Sequence, residues 1–104
     1  MPEHWLVDSA IAIESARSLM YRAAVVELAG GRADALASMA KIVASEAAVD
    51  TALRGMQMMG GAGYSREHPM QRYFRDSRVF LTGPITNEMA LNQIAEKLGM
   101  QRSY

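Results

Sequence analysis

The sequence predicts an all-α fold: an antiparallel, up-and-down helical bundle with two long helices, one short helix and a C-terminal helix. Three observations carry that expectation. Ala, Leu, Met, Glu, Arg and Gln dominate the composition, all of them good helix formers, and aromatic residues make up only 7%. Apolar residues recur at three- and four-residue steps through two long stretches. Gly30-Gly31, the cluster "GGAG" and Gly83-Pro84 punctuate the chain between periodic segments, as breakers should.

The first helix is expected from about residue 3 to 28, with Ile13, Ala16, Met20, Ala23 and Ala24 on one face. Gly30-Gly31 ends it, because glycine accepts the left-handed conformation that closes many helices. Asp34 stands where an N-cap is wanted for the second helix, expected to run to about residue 59. Leu36, Met39, Ala40, Val43 and Ala47 form its apolar stripe. A short turn between two long helices makes them antiparallel neighbours. Residues 69 to 77 read as a short helix with Pro69 in its first turn, where the missing N–H costs nothing. Within it, Arg72 and Asp76 are four apart, the spacing of a side-chain ion pair. Thr86 caps a last helix to about residue 98, ended by Gly99, with Met89, Ile94 and Leu98 on its buried side.

Composition excludes several function classes. At 104 residues the chain is one domain, and its 11 basic residues balance its 11 acidic ones. A nucleic-acid partner would call for a basic excess to neutralise phosphates. Without cysteine there is neither a disulfide nor a thiolate metal site, and His4 and His68 are isolated, so no metal site is expected. No apolar run reaches the ~20 residues of a membrane span, and no secretory signal pattern opens the chain. A cytoplasmic location fits. The broad alanine-rich stripes, with few aromatics to fill a core, point to self-association as a homo-oligomer.

The informative stretch is "QMMGGAGYSREHPMQRYFRDSRV", residues 57 to 79. Three glycines in four residues interrupt a helix-rich chain at about 1 kcal/mol each relative to alanine. Such a cluster marks a turn, or a place where backbone must come close to something. The stretch resembles the C-terminal helical domain of the acyl-CoA dehydrogenases, which carry Q-x-x-G-G-x-G-Y-S/T-x-E-x-P and then R-x-x-R-D at these spacings. "DSAIAIESARSLMYRAA", "ASMAKIVASEAAVDTALRGMQ" and "TNEM" are similar to other segments of the same domain, so the resemblance covers nearly the whole chain, 1–104.

The resemblance implies a parent oxidoreductase of fatty acid metabolism that uses FAD to introduce an α,β double bond into acyl-CoA thioesters. It implies that Gln57, Gly60 and Gly61 lie against the FAD pyrophosphate, usually of a neighbouring subunit, while Gly63 and Tyr64 shape the turn. Thr86 and Glu88 match positions that contact the flavin. Arg72, Arg75 and Asp76 match a motif that is mainly structural. The general base of most members falls, without a gap, on Pro84, which has no titratable group. No catalytic residue is therefore assigned. The family's N-terminal helical domain and middle β-domain have no counterpart in the sequence, so an isolated chain is expected to be inactive and to have at best weak affinity for FAD. The alternative is a non-enzymatic helical oligomerisation or scaffold module that has lost flavin chemistry.

Overall fold

The computed structural model describes residues 2–83 and 85–100. Among them, helix α1 spans Pro2–Leu28, α2 Asp34–Met59, α3 Met70–Arg78 and α4 Asn87–Lys97, with no strand. A 3-10 turn over Gly60–Tyr64 closes α2, and a second over Val79–Leu81 follows α3. The expected all-α bundle and its element order are both present.

Helix α2 is the spine. Helix α1 runs antiparallel to it after a turn in which Gly30, at φ 84°, takes the left-handed conformation. There the Gly31 and Gly30 amides donate to the carbonyls of Val26 and Glu27. At the far end of the pair Arg54 reaches Asp8 at 3.4 Å. Helix α4 also lies antiparallel on α2, with Lys97 beside Asp34 and Asn87 beside Ser45. Helix α3 packs on the C-terminal half of α2, where the Met70 thioether covers Gly55.

The buried apolar residues are mostly small: Ala16, Ala33, Ala47, Val49, Ala52, Met56 and Ala90. Small side chains let helix backbones approach closely but remove little apolar area from water. The outline is correspondingly extended. The radius of gyration is 16.1 Å, against about 13 Å for a compact domain of 100 residues.

Three local expectations need correction. Asp34 is not the N-cap of α2. Ala33 holds that position without a side-chain cap, and Asp34 is the first helical residue, its carboxylate drawn to Arg32 at 3.0 Å and Lys97 at 3.5 Å. Pro69 stands one residue before α3 rather than within it, and its carbonyl accepts from the Arg72 and Tyr73 amides. Arg72 and Asp76 make no ion pair: Asp76 instead opens on an apolar cleft of about 630 Å³ between α1, α2 and α3.

The same cleft explains why the stripe expected on α1 is only half buried. Ile13 and Ala16 point into it as the pattern requires, yet Ile13 remains 43% exposed because no described residue fills the space. The predicted cap of α4 is formed: Thr86 Oγ1 accepts from the Met89 amide at 3.1 Å. Leu98, expected on the buried side of α4, is instead 67% exposed at its C-cap.

Candidate functional site

Gln57 sits in the last turn of α2, and its backbone carbonyl accepts from the Gly60 amide, so the helix folds back on itself as it ends. The Gln57 side chain is exposed and makes no hydrogen bond with a described residue. Gly60 adopts φ 64°, ψ −137°, a conformation close to glycine-only space, so its identity is dictated by the turn itself.

Gly63 is glycine for another reason. A Cβ there would press on the Met56 carbonyl and lie 2.9 Å from the Met56 Cα, so the incoming turn can lie on α2 only with a bare Cα. This agrees with the expectation that Gly63 shapes the turn. Gly61 has neither reason. Its φ is not positive, nothing lies within 4 Å of an added Cβ, and the residue is exposed. Nothing among the described residues requires a glycine at position 61.

The second group of candidates is at the N-terminus of α4. Thr86 is half-buried; its oxygen serves the cap, and its hydroxyl proton has no described acceptor. Glu88 is exposed in the first turn, and its carboxylate is engaged by no described residue. Position 84, where the family's base falls on Pro84, lies outside the described residues.

The chain does not bring the two groups together. Asn87 sits against Ser45, and Gln57 is twelve residues further along α2. At 1.5 Å per residue, that places the groups roughly 18 Å apart along the helix. A single ligand reaching both groups would have to span that distance.

Sequence reasoning missed the seam that carries Thr86. Asn87, only 9% exposed, receives a hydrogen bond from Lys41 Nζ. It also donates through Nδ2 to Ser45 Oγ at 3.1 Å; that Oγ lies 3.1 Å from the Ile42 carbonyl, its shorter acceptor, and 3.4 Å from Asn87 Oδ1. One turn of α2 earlier, Ser38 Oγ donates to Gln93 at 3.1 Å. Asp34, Ser38, Lys41 and Ser45 recur at three- and four-residue steps, a signal that was available but reads as a solvated face. Among the described residues no cluster of His, Cys, Asp or Glu could hold a metal ion, and no helix is long and apolar enough to cross a membrane.

A helical domain with a glycine turn closing its central helix and a threonine-capped last helix is thus in place. The chain belongs to the acyl-CoA dehydrogenase family: residues 3–99 match its "Acyl-CoA dehydrogenase, C-terminal domain". It is 43% identical over 99 residues to the short-chain specific acyl-CoA dehydrogenase of Rattus norvegicus mitochondria, covering 95% of this chain and 24% of that protein. It is also 43% identical over 79 residues to the cyclohexane-1-carbonyl-CoA dehydrogenase of Geobacter metallireducens, covering 76% and 21%. Among solved structures, butyryl-CoA dehydrogenase from Megasphaera elsdenii superposes with a TM-score of 0.88 at 35% identity, over 92% of this chain and 25% of that one. PigA, solved with FAD and proline, gives 0.91 at 29% identity, over 95% and 26%. The chain therefore spans about a quarter of the length of these relatives.

Proposed function

We propose that this domain serves an FAD-dependent acyl-CoA dehydrogenase-type oxidoreductase by holding the cofactor at two places and by joining subunits. Gln57, Gly60 and Gly61 form the pyrophosphate contact, the glycines by leaving backbone bare to phosphate oxygens and Gln57 by donating from its amide. Thr86 donates its free hydroxyl proton to the flavin at the second place. Glu88 can only accept, so it suits a hydroxyl or N–H of the cofactor rather than its phosphates. Bound flavin would supply the hydride acceptor for α,β-dehydrogenation of an acyl-CoA, a reaction of the longer protein in the cytoplasm. The 104-residue chain alone, with no base assigned, turns over no acyl-CoA.

The observation that carries this reading is Gly61, a glycine with open space around it and no backbone reason of its own. A ligand lying against the turn supplies the reason. The family's structural neighbour with FAD bound, PigA, supports the choice of ligand.

The test sets stability against binding. Gly61→Ala should stabilise the chain by about 0.5 kcal/mol, because it restricts the unfolded chain without straining the folded one. The same variant, and Gln57→Ala, should weaken saturable FAD binding followed by flavin fluorescence. Unaltered FAD affinity in both variants, or no saturable binding to the wild-type chain, would overturn the assignment. Turnover of an acyl-CoA by the chain with an artificial electron acceptor would refute its inactivity.

A second reading, a scaffold that assembles without flavin chemistry, is favoured by the surface of α1. Leu6, Val7, Ile11 and Val25 are 56–64% exposed along it, and Leu28 at its end is 88% exposed. Large apolar side chains exposed along one helix favour association. Analytical ultracentrifugation at high micromolar concentration should find a homo-oligomer; a strict monomer counts against assembly through this domain.

A further inference from the structure

We infer that Lys41 and Ser45 of α2 are positioning residues for Thr86, acting through Asn87; the inference rests on the cofactor reading above. Asn87 is the residue between the two candidate contacts Thr86 and Glu88, and its side chain is the one in that stretch that turns inward. It is held from two directions. Lys41 Nζ donates to its Oδ1, and its Nδ2 donates to Ser45 Oγ at 3.1 Å, while the Ser45 hydroxyl has the Ile42 carbonyl at 3.1 Å as its shorter acceptor.

An amide with both ends engaged cannot rotate without breaking a buried hydrogen bond. Fixing Asn87 fixes the backbone of the first turn of α4. The Thr86 oxygen is already committed to the Met89 amide, so its free proton can point in few directions. Ala90, the next residue on the same face, is fully buried, which prevents α4 from rolling on α2. The spine helix thus sets where Thr86 can donate.

Lys41 adds a second effect. Its half-buried ammonium lies beside the positive end of the α4 dipole, an arrangement that costs stability rather than adding it. A cation kept at a helix N-terminus raises the local positive potential, which favours an electron-rich group there.

The experiment uses the full 104-residue chain. Amide exchange of Met89 reads the cap directly. Lys41→Met and Asn87→Leu should each speed it by about tenfold or more, since each strips a partner from a buried polar group. Asn87→Asp keeps the acceptor for Lys41 and loses only the donor to Ser45, so its exchange should stay closer to the wild-type rate than that of Asn87→Leu. FAD titration then separates positioning from general loosening. Lys41→Met should weaken FAD binding in the wild-type background and weaken it less in the Thr86→Val background, where only its charge is lost. An equal loss in both backgrounds, or Met89 exchange unchanged while FAD still binds, overturns the inference alone. No FAD binding by the wild-type chain overturns the cofactor reading and the flavin role of Lys41 with it.

Discussion

The glycine turn after α2 and the first turn of α4 both present candidate flavin contacts, yet different forces hold them. The glycine turn is held by backbone. Gly60 folds the chain back onto the Gln57 carbonyl, and Gly63 lets it lie directly on Met56, so no side chain is needed to fix its shape. The α4 turn is held by side chains that are far apart in sequence: Lys41 and Ser45 reach forty or more positions along the chain to Asn87. A backbone-held turn tolerates almost any side-chain change and almost no added Cβ. A side-chain-held turn behaves the other way round.

That contrast sets the order of expected damage. Gly63→Ala should be worst, at about 3 kcal/mol, because its Cβ meets a carbonyl and a Cα that cannot swing aside. For a domain of this size that lowers Tm by more than about 10 °C in a thermal melt. A Gly63→Ala chain that melts like wild type would mean the turn is held some other way. Asn87→Leu comes next, at about 2 kcal/mol, through the Lys41 ammonium that loses its acceptor and the buried Ser45 oxygen that loses its donor. Gly60→Ala should cost about 1.5 kcal/mol, a pure conformational penalty in a place with open space around it. Should Gly60→Ala prove more damaging than Gly63→Ala in urea titrations, close packing on Met56 would matter less than the positive φ.

The same contrast decides what could be read from sequence. The glycine turn was legible because its physics is local: three glycines in four residues announce it, and the fold gives Gly60 and Gly63 separate reasons. Thr86 as a cap was legible for the same cause, a hydroxyl three residues before the amide it serves. The α2–α4 seam was not. Asp34, Ser38, Lys41 and Ser45 form a polar stripe that would face water on an isolated helix, and α4 lies along it, with Ser38 and Ser45 buried and bonded to Gln93 and Asn87. Ile13 and Met20 failed in the opposite sense. Their apolar spacing placed them on a core-facing stripe, but each faces a separate cleft that no described residue fills. The Arg72–Asp76 spacing suited a pair, but an exposed pair gains little against the entropy of holding two side chains. Asp76 lines the cleft instead.

The smallest effect distinguishes the two regions by pH. The far end of α4 is tied to α2 by Lys97 on Asp34 at 3.5 Å, and Asp34 is also bound by Arg32 at 3.0 Å. The Arg32 hydrogen bond, followed by its charge and then Lys97, holds the Asp34 carboxyl below its ordinary value, and Arg32 is itself pushed up by the same pairing. The folded chain therefore binds a proton at Asp34 less readily than the unfolded chain does. The resulting stability is fully present above the ordinary carboxylate value of about 3.9, and is lost as pH falls through the lowered folded value. Both partners are exposed, so the contribution is small and added salt should shrink it further. Urea midpoints should show wild type slightly above Asp34→Asn at pH 7, with the gap closing as the pH drops below 4. The cost of Gly63→Ala should stay constant over the same range, since no titrating group holds that turn. A gap between wild type and Asp34→Asn that persists at pH 3 would mean Asp34 acts on the α4 seam through something other than its charge.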